Sequence, residues 1–234
     1  MAEFDEYKNH YEASIDSAIA FAGKSHAFYI KAKADCLIGL IKAKLGGLSN
    51  YRVLDIGCGN GAIHEFLLNS ELEINLEGID VAPEFLEQAH KNFPGVNYRV
   101  YDGKRLPFDD GSFDCVFTIC VMHHVPPAQW SGFVQEMHRV VRPGGIVVVF
   151  EHNRLNPLTT FIVKTCPLDR NAVLVPVGAL RRHMSAAGLM ELESRYILFS
   201  PFDHRFVRAI EGSIGWLPLG AQYVCVGERI ASPV

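Results

Sequence analysis

The sequence contains no long run of like charges and no apolar stretch of the length that spans a bilayer. Its net charge of −4 is spread along the chain, which disfavours a polyanion such as nucleic acid as the main partner. The six cysteines are scattered and form no C-x-x-C pair, so neither a disulfide framework nor a zinc knuckle is indicated. The opening residues MAEFDEYKNH lack the basic-then-apolar order of a signal peptide. We therefore expect a reduced, cytoplasmic protein without a transmembrane segment.

Internal repeats and low-complexity segments are also missing. After residue 48, short Val- and Ile-rich runs alternate with helical patterns, and Pro83 stands where a helix would begin. This alternation predicts parallel strands joined by crossover helices in a Rossmann-like, doubly wound α/β sheet. The predicted strands cover residues 51–56, 74–79, 96–101, 113–119, 145–151, 189–198 and 222–229.

The remaining segments are predicted to surround this sheet within a single domain, residues 1–234. Residues 1–48 have apolar positions at helical spacing and form a predicted helical N-terminal cap. Residues 153–176 and 201–220 fit no core element. Because ligands bind beyond the carboxyl ends of the strands in such sheets, we expect these two insertions to line a ligand pocket.

The most specific pattern is VLDIGCGNG at residues 53–61, an apolar run that leads into a glycine-rich turn. Glycine permits positive φ and lets a ligand approach the backbone closely. The segment also fits a dinucleotide fingerprint, with Asp80 at roughly the expected ~20-residue offset. Asp55 favours another ligand, because its carboxylate would repel a pyrophosphate and attract an ammonium or a sulfonium. An NAD(P)-dependent oxidoreductase is the alternative, and Asp55 can brace the turn in either case.

Several motifs in a fixed order resemble those of the class I S-adenosylmethionine (SAM)-dependent methyltransferases. They are the glycine loop, EGIDV at 77–81, YDGKRLPF at 101–108, FDCVFTICVMHHV at 113–125 and RPGG at 142–145. The resemblance covers residues 51–150 and implies a seven-stranded sheet with an antiparallel last strand. It implies that Asp80 binds the ribose hydroxyls, that Asp102 accepts from the adenine amino group and that an N-terminal tyrosine reaches the SAM carboxylate. The implied cofactor-binding residues are Asp55, Gly57, Cys58, Gly59, Asp80, Val81, Asp102, Gly103, Cys120 and Tyr11.

Three residues are candidates for catalysis. Glu151 and His152 follow the predicted fifth strand, where a histidine beside an orienting carboxylate can act as a general base. His124 ends the fourth-strand motif beside His123, where packing or shaping of the cofactor site is favoured over base catalysis. His123, His124 and His152 could also bind a metal, but they lack ligand spacing such as H-x-x-x-H, and we predict no metal.

The acceptor is predicted from the two insertions, which are mainly apolar and carry few polar groups. They favour a small-molecule acceptor, partly apolar or attached to a lipid or carrier, methylated at oxygen or nitrogen. A glycan or secondary-metabolite pathway is one setting for such an acceptor. The same segments could instead cover the core or form the surface of a homodimer. A protein that binds SAM without catalysis is the remaining alternative, although the cofactor motifs are intact.

Overall fold

The computed structural model describes residues 26–46, 50–200 and 213–231. The helices are α1 His26–Leu45, α2 His64–Leu68, α3 Pro83–Asn92, α4 Trp130–Val140, α5 Pro157–Thr165 and α6 Val177–Ala186. The strands are β1 Tyr51–Ile56, β2 Ile74–Asp80, β3 Asn97–Val100, β4 Phe113–Ile119, β5 Val141–His152, β6 Leu189–Ile197 and β7 Gln222–Arg229. Short 3₁₀ turns cover Met122–His124, Pro127–Gln129 and Pro167–Asp169.

The seven strands form one sheet in the order β3-β2-β1-β4-β5-β7-β6. Neighbours from β3 to β5 are parallel, whereas β7 runs antiparallel to both β5 and β6. The predicted mostly parallel sheet with an antiparallel last strand is confirmed. The chain moves outward from β1 to β3 and then returns to place β4 on the other side of β1. Ligands bind in the crevice that this reversal creates.

The central strands are buried on both faces, because α1 and α2 cover one side while α4 and α6 cover the other. In β5, Val148 and Phe150 face α1, whereas the alternate residues Val147 and Val149 face α4 and α6. This two-residue period is the geometry of a pleated strand. A continuous apolar run in the sequence therefore corresponds to a strand covered on both faces.

The predicted boundaries agree with the structure at most elements, and two differences have physical reasons. β5 begins at Val141, four residues before the prediction, because residues 142–145 interrupt the pairing with β4 as an irregularity within the strand. The insertion 153–176 contains α5, whose N-terminus is capped by the Asn156 side chain accepting from two backbone N–H groups. Of the predicted N-terminal helical cap, α1 lies within the described residues and ends at Leu45.

Candidate active site

A cavity of about 500 Å³ lies at the carboxyl ends of β1, β4 and β5, where the strand order reverses. Its walls come from the loop after β1, the turn after β4, the end of β5, and helices α1 and α5. Its volume lies within the range of small-molecule sites. The insertion 153–176 contributes α5 and the turn at Pro167–Asp169 to these walls, whereas residues 201–212 of the other insertion lie outside the described residues.

The glycine loop after β1 forms one side of the cavity. Gly57 and Gly59 have positive φ values of 72° and 53°, which non-glycine residues rarely adopt. A Cβ atom on Gly57 would lie 2.5 Å from Val121 Cγ2, so this glycine is required by close packing. A Cβ atom on Gly59 would meet nothing within 4 Å. The loop thus leaves open space beside Gly59, of the kind that a bound ligand fills.

Asp55 is buried at the base of this loop and lines the cavity. Its Oδ2 lies 3.0 Å from His64 Nε2, and His64 Nδ1 lies 2.8 Å from the Tyr98 hydroxyl. Burial raises the pKa of the Tyr98 hydroxyl, so this hydroxyl donates to Nδ1 and leaves the Nε2 hydrogen for Asp55. Burial also raises the pKa of Asp55, against the opposing effect of His64. His64 therefore braces Asp55, and sequence reasoning missed this residue.

Asp80 ends β2 next to the glycine loop. Its Oδ2 accepts from the Gly59 N–H at 2.8 Å and its Oδ1 accepts from the Ala82 N–H at 2.9 Å. Burial raises the pKa of Asp80, while these backbone donors oppose that rise. Each carboxylate oxygen keeps a second lone pair, so Asp80 can still accept from a ligand.

Asp102 is exposed and forms a local turn in which Oδ1 accepts from the N–H groups of Lys104 and Arg105. These donors lower the pKa of Asp102. A Cβ atom on Gly103 would lie 3.4 Å from Val81 Cγ1, so the loops after β2 and β3 lie side by side. The two loops border the cavity but do not line it.

A cluster of imidazoles and carboxylates occupies the opposite side of the cavity. His123 Nδ1 lies 2.7 Å from Glu151 Oε2, and its Nε2 lies 3.4 Å from Asp169 Oδ1. His124 Nε2 lies 3.4 Å from the same Asp169 oxygen. The ring of His152 lies 5.0 Å from that of His123, measured between centroids. Glu151 thus orients His123 and contacts His152 only through its backbone N–H.

The protonation of this cluster follows from its burial and its two carboxylates. Burial opposes a charge on His123, but Glu151 and Asp169 outweigh this effect and raise its pKa well above the usual value. Burial and the nearby His123 charge lower the pKa of His124 to about 4, and the same causes lower that of His152 to about 4. At neutral pH the cluster therefore holds one imidazolium between two carboxylates and two neutral imidazoles.

The ligand-type atoms of His123, His124 and Asp169 all lie within 4.8 Å of one another, so this group could hold a metal ion. Asp169 replaces His152 in the trio that the sequence suggested for a metal. The turn at Pro167–Asp169 brings Asp169 to the cluster from a segment far along the chain. The spacing of Asp169 from His123 and His124 in the sequence does not predict that the three side chains lie close together.

Two further polar residues of the cavity were missed by the sequence analysis. Lys33 on α1 is only 4% exposed, and within the described residues no carboxylate pairs with its ammonium. Burial raises the pKa of Cys120 and the Lys33 charge opposes that rise, whereas burial lowers the pKa of His152 and Lys33 adds to that lowering, so Lys33 acts near both. Gln222, at the start of β7, has a buried Oε1 without a hydrogen-bond partner. A buried cation and an unpaired acceptor in one cavity indicate a polar ligand.

The predicted site residues divide into three groups. Those lining the cavity are Asp55, Gly57, Cys58, Gly59, Cys120, His124 and His152. Those that do not line it are Asp80, Val81, Asp102, Gly103 and Glu151, of which Asp80 bonds to Gly59 and Glu151 bonds to His123. Tyr11 lies outside the described residues. Cys120 has a φ of 55°, unusual for a residue other than glycine, and such strain is common at functional sites.

The sheet order and the glycine loop define the fold of a class I SAM-dependent methyltransferase. Residues 54–149 match the family model for a methyltransferase domain. The chain is 35% identical over 157 residues to an uncharacterized methyltransferase of Synechocystis, covering 60% of this chain and 73% of the relative. It therefore belongs to the SAM-dependent methyltransferase family, and this membership implies SAM as the methyl donor.

Two other comparisons extend this result. The chain is 34% identical over 133 residues to the 2-methyl-6-phytyl-1,4-hydroquinone methyltransferase of Synechocystis, covering 54% of this chain but 40% of the relative. The crystal structure of a SAM-dependent methyltransferase from Thermotoga maritima matches with a TM-score of 0.67 and 21% identity. That match covers 97% of this chain and 98% of the other, and it shows the shared fold. Among the described residues, no helix is long and apolar enough to cross a membrane.

Proposed function

We propose that this enzyme transfers the methyl group of SAM to a hydroxyl oxygen of a small molecule that carries an apolar portion. The observation that supports this proposal best is the pair of neutral imidazoles, His124 and His152, in the same cavity as the glycine loop. A hydroxyl is a poor nucleophile until it loses its proton, whereas an amine needs only to arrive uncharged. A cavity that holds neutral imidazoles beside carboxylates therefore suits an oxygen acceptor.

Residues in the cavity and next to the glycine loop can contact the ribose, ammonium and carboxylate groups of SAM. The lone pairs of Asp80 are available to the ribose hydroxyls, and the space beside Gly59 admits the backbone contact. Asp55 supplies negative charge for the ammonium group, and Lys33 supplies the counter-ion that a methionine carboxylate requires. When bound, SAM supplies an electrophilic methyl group.

His124 accepts the acceptor's proton in this proposal. Its Nε2 faces Asp169 at 3.4 Å, so the imidazolium that forms is stabilised by a carboxylate. Glu151 and His123 act as positioning residues, because Glu151 fixes His123 and His123 in turn contacts Asp169. His152 has no carboxylate on its ring, and we assign it to hydrogen bonding with the acceptor.

The acceptor class is supported by the walls of the cavity. Leu158, Ile162 and Val163 from α5 line it together with Ile30 and Leu168. One relative is named for an acceptor that carries two hydroxyls and a phytyl chain. The acceptor proposed for the present chain shares these two features, a hydroxyl and an apolar chain.

The first experiment is calorimetric titration with SAM and with S-adenosylhomocysteine, in parallel with NADH. We expect micromolar binding of the SAM pair and no binding of NADH. Binding of NADH alone would contradict the assigned cofactor and favour an oxidoreductase.

The second experiment measures transfer of labelled methyl from SAM to a prenylated hydroquinone and to the same compound with its hydroxyls replaced by hydrogen. We expect label only in the hydroxylated compound, as a methyl ether identified by mass spectrometry and NMR. Label on ring carbon would reject oxygen as the acceptor atom. SAM binding without turnover of any hydroxylated acceptor would favour the non-catalytic alternative.

The third experiment tests the proton acceptor with His124→Ala and Asp169→Asn. Each should lower kcat by about 100-fold or more while leaving the affinity for SAM within about twofold, because removal of a general base affects the chemical step. His183→Ala, a histidine on α6 outside the cavity, is the matched control. Loss of the activity on treatment with a chelator, restored by a divalent ion, would instead assign His123, His124 and Asp169 to a metal.

A further inference from the structure

A set of exposed apolar side chains lies at the outer side of the cavity wall. The described residues include eleven large hydrophobic side chains that are exposed, and five of them fall in two segments, 155–161 and 216–219. These five, Leu155, Leu158, Phe161, Trp216 and Leu219, are named here the rim surface. The other six are scattered over separate elements, so this concentration is specific to the two segments.

Hydrogen bonds hold the two segments of the rim surface together. Asn153 Nδ2 donates to the carbonyls of Pro218 and Gly220, at 3.0 and 2.8 Å. Asn156 Nδ2 donates to the Leu219 carbonyl at 2.7 Å. Both asparagines belong to the segment that leads into α5. The exposed side chains of the two segments therefore form one fixed surface.

Helix α5 connects the rim surface with the cavity. Leu158 and Ile162 line the cavity, while Phe161 on the same helix is 59% exposed. Leu158 is itself half exposed and belongs to both surfaces. An apolar path therefore leads from the outer surface of α5 into the acceptor side of the cavity.

The two stretches of chain that contain the rim surface, residues 153–168 and 213–220, carry only positive charge, although the whole chain has a net charge of −4. Residues 153–168 contain Arg154 and Lys164, both exposed, and no acidic residue. Residues 213–220 contain no charged residue. Exposed Trp and Phe beside Arg and Lys are the composition of surfaces that lie in the interface of an anionic bilayer.

We propose that the rim surface docks this enzyme on an anionic lipid bilayer and that an acceptor with an apolar chain enters the cavity from the lipid past α5. The docking requires no membrane-spanning helix, because the side chains insert only to the depth of the headgroups. The route of the acceptor rests on the proposed function, whereas the docking does not. Binding to vesicles can therefore be tested without an acceptor or turnover.

Tryptophan fluorescence provides a direct test, because the chain contains only two tryptophans. Trp130 is buried at 7% exposure and Trp216 is 74% exposed. On addition of vesicles of equal parts phosphatidylglycerol and phosphatidylcholine, we expect the emission to shift to shorter wavelength. The shift should be absent in Trp216→Phe, and lipids brominated on their acyl chains should quench the emission of the wild-type protein only.

Co-sedimentation with the same vesicles measures the contribution of each feature. Leu155→Glu/Phe161→Glu and Arg154→Glu/Lys164→Glu should each reduce the bound fraction by about tenfold or more at low ionic strength. Met190→Glu, which changes an exposed apolar residue on β6, is the matched control and should bind as the wild type does. The affinity of each variant for S-adenosylhomocysteine shows that it is folded.

Two results would overturn the docking proposal. One is the absence of vesicle binding at low ionic strength, or a loss that is equal in the rim variants and in Met190→Glu. The other is a concentration-dependent shift of Trp216 emission without lipid, together with dimers in light scattering, which would assign the rim surface to a second copy of the chain. Either result leaves the assignment of SAM and of the proton acceptor unaffected.

Discussion

Lys33→Met provides the sharpest test of how the cavity binds its methyl donor. Methionine keeps the length and apolar stem of lysine but removes the charge. We expect the affinity for S-adenosylhomocysteine to fall, because this ligand carries a carboxylate. The affinity for 5′-methylthioadenosine, which lacks the amino-acid portion, should stay within about twofold. The difference between the two changes in affinity separates the contribution of the amino-acid portion, which carries the carboxylate, from that of the nucleoside.

The size of the expected loss in binding free energy follows from the burial of Lys33. Two unit charges about 4 Å apart interact by about 4 kcal/mol at an effective dielectric constant of about 20. Lys33 is already 4% exposed and unpaired within the described residues, so most of its desolvation is complete before the ligand binds. The carboxylate must still lose water, which offsets part of the attraction. A net loss of about 2–3 kcal/mol raises the dissociation constant by about 30- to 150-fold.

The same substitution makes a second prediction with the opposite sign. Among the described residues no carboxylate offsets the cost of burying the Lys33 side chain, so Lys33→Met should raise the thermal midpoint of the ligand-free protein. Lys31→Met is the matched control, because Lys31 is exposed on the same helix and pairs with Asp35. Calorimetric titration and thermal unfolding measure the two effects. Equal weakening of both ligands, or no weakening of either, would refute the pairing of Lys33 with the carboxylate.

Three further predictions concern the loop and the proton acceptor. Asp80→Ala should weaken SAM binding by about 1.5–3 kcal/mol, the value of a hydrogen bond to a charged group, and unchanged calorimetric affinity would remove Asp80 from the site. Gly57→Ala should lower the free energy of unfolding in urea by about 1–3 kcal/mol more than Gly59→Ala, because only the Gly57 Cβ would clash with Val121. Equal costs would contradict that packing. Since the pKa of His124 is lowered to about 4, kcat/KM should stay level as the pH falls from 8 to about 5, and a decline centred near 6.5 would contradict a base with this lowered pKa.

The sheet could be predicted because its evidence is local. Each central strand is a short apolar run, and the runs at β1, β4 and β7 have the predicted boundaries. The antiparallel direction of β7 came from the family resemblance, since no residue of β7 indicates its direction. The start of β5 was misplaced because residues 142–145 look like a turn, yet the strand continues through them as an irregularity.

The imidazole cluster could be predicted only in part. His123 and His124 were recognised because they follow β4, and Glu151 and His152 because they end β5; the carboxyl ends of these two strands meet at one edge of the sheet. Asp169 was not recognised, because its position beside the histidines depends on the path of the insertion after β5. Lys33 was missed for a related reason. A lysine on an N-terminal helix looks like an exposed residue, and only the packing of α1 over the cavity buries it.

Asp55 illustrates how one residue carries both a structural and a binding role. In the sequence, the carboxylate of Asp55 favours a cationic ligand over a ligand that carries a pyrophosphate. In the structure this carboxylate is buried beneath the glycine loop, held by His64 through one oxygen, and still lines the cavity. His64 holds the Asp55 carboxylate by a hydrogen bond while the carboxylate still faces the cavity. The same contact braces the loop, so replacing His64 should disturb loop stability and cofactor binding together.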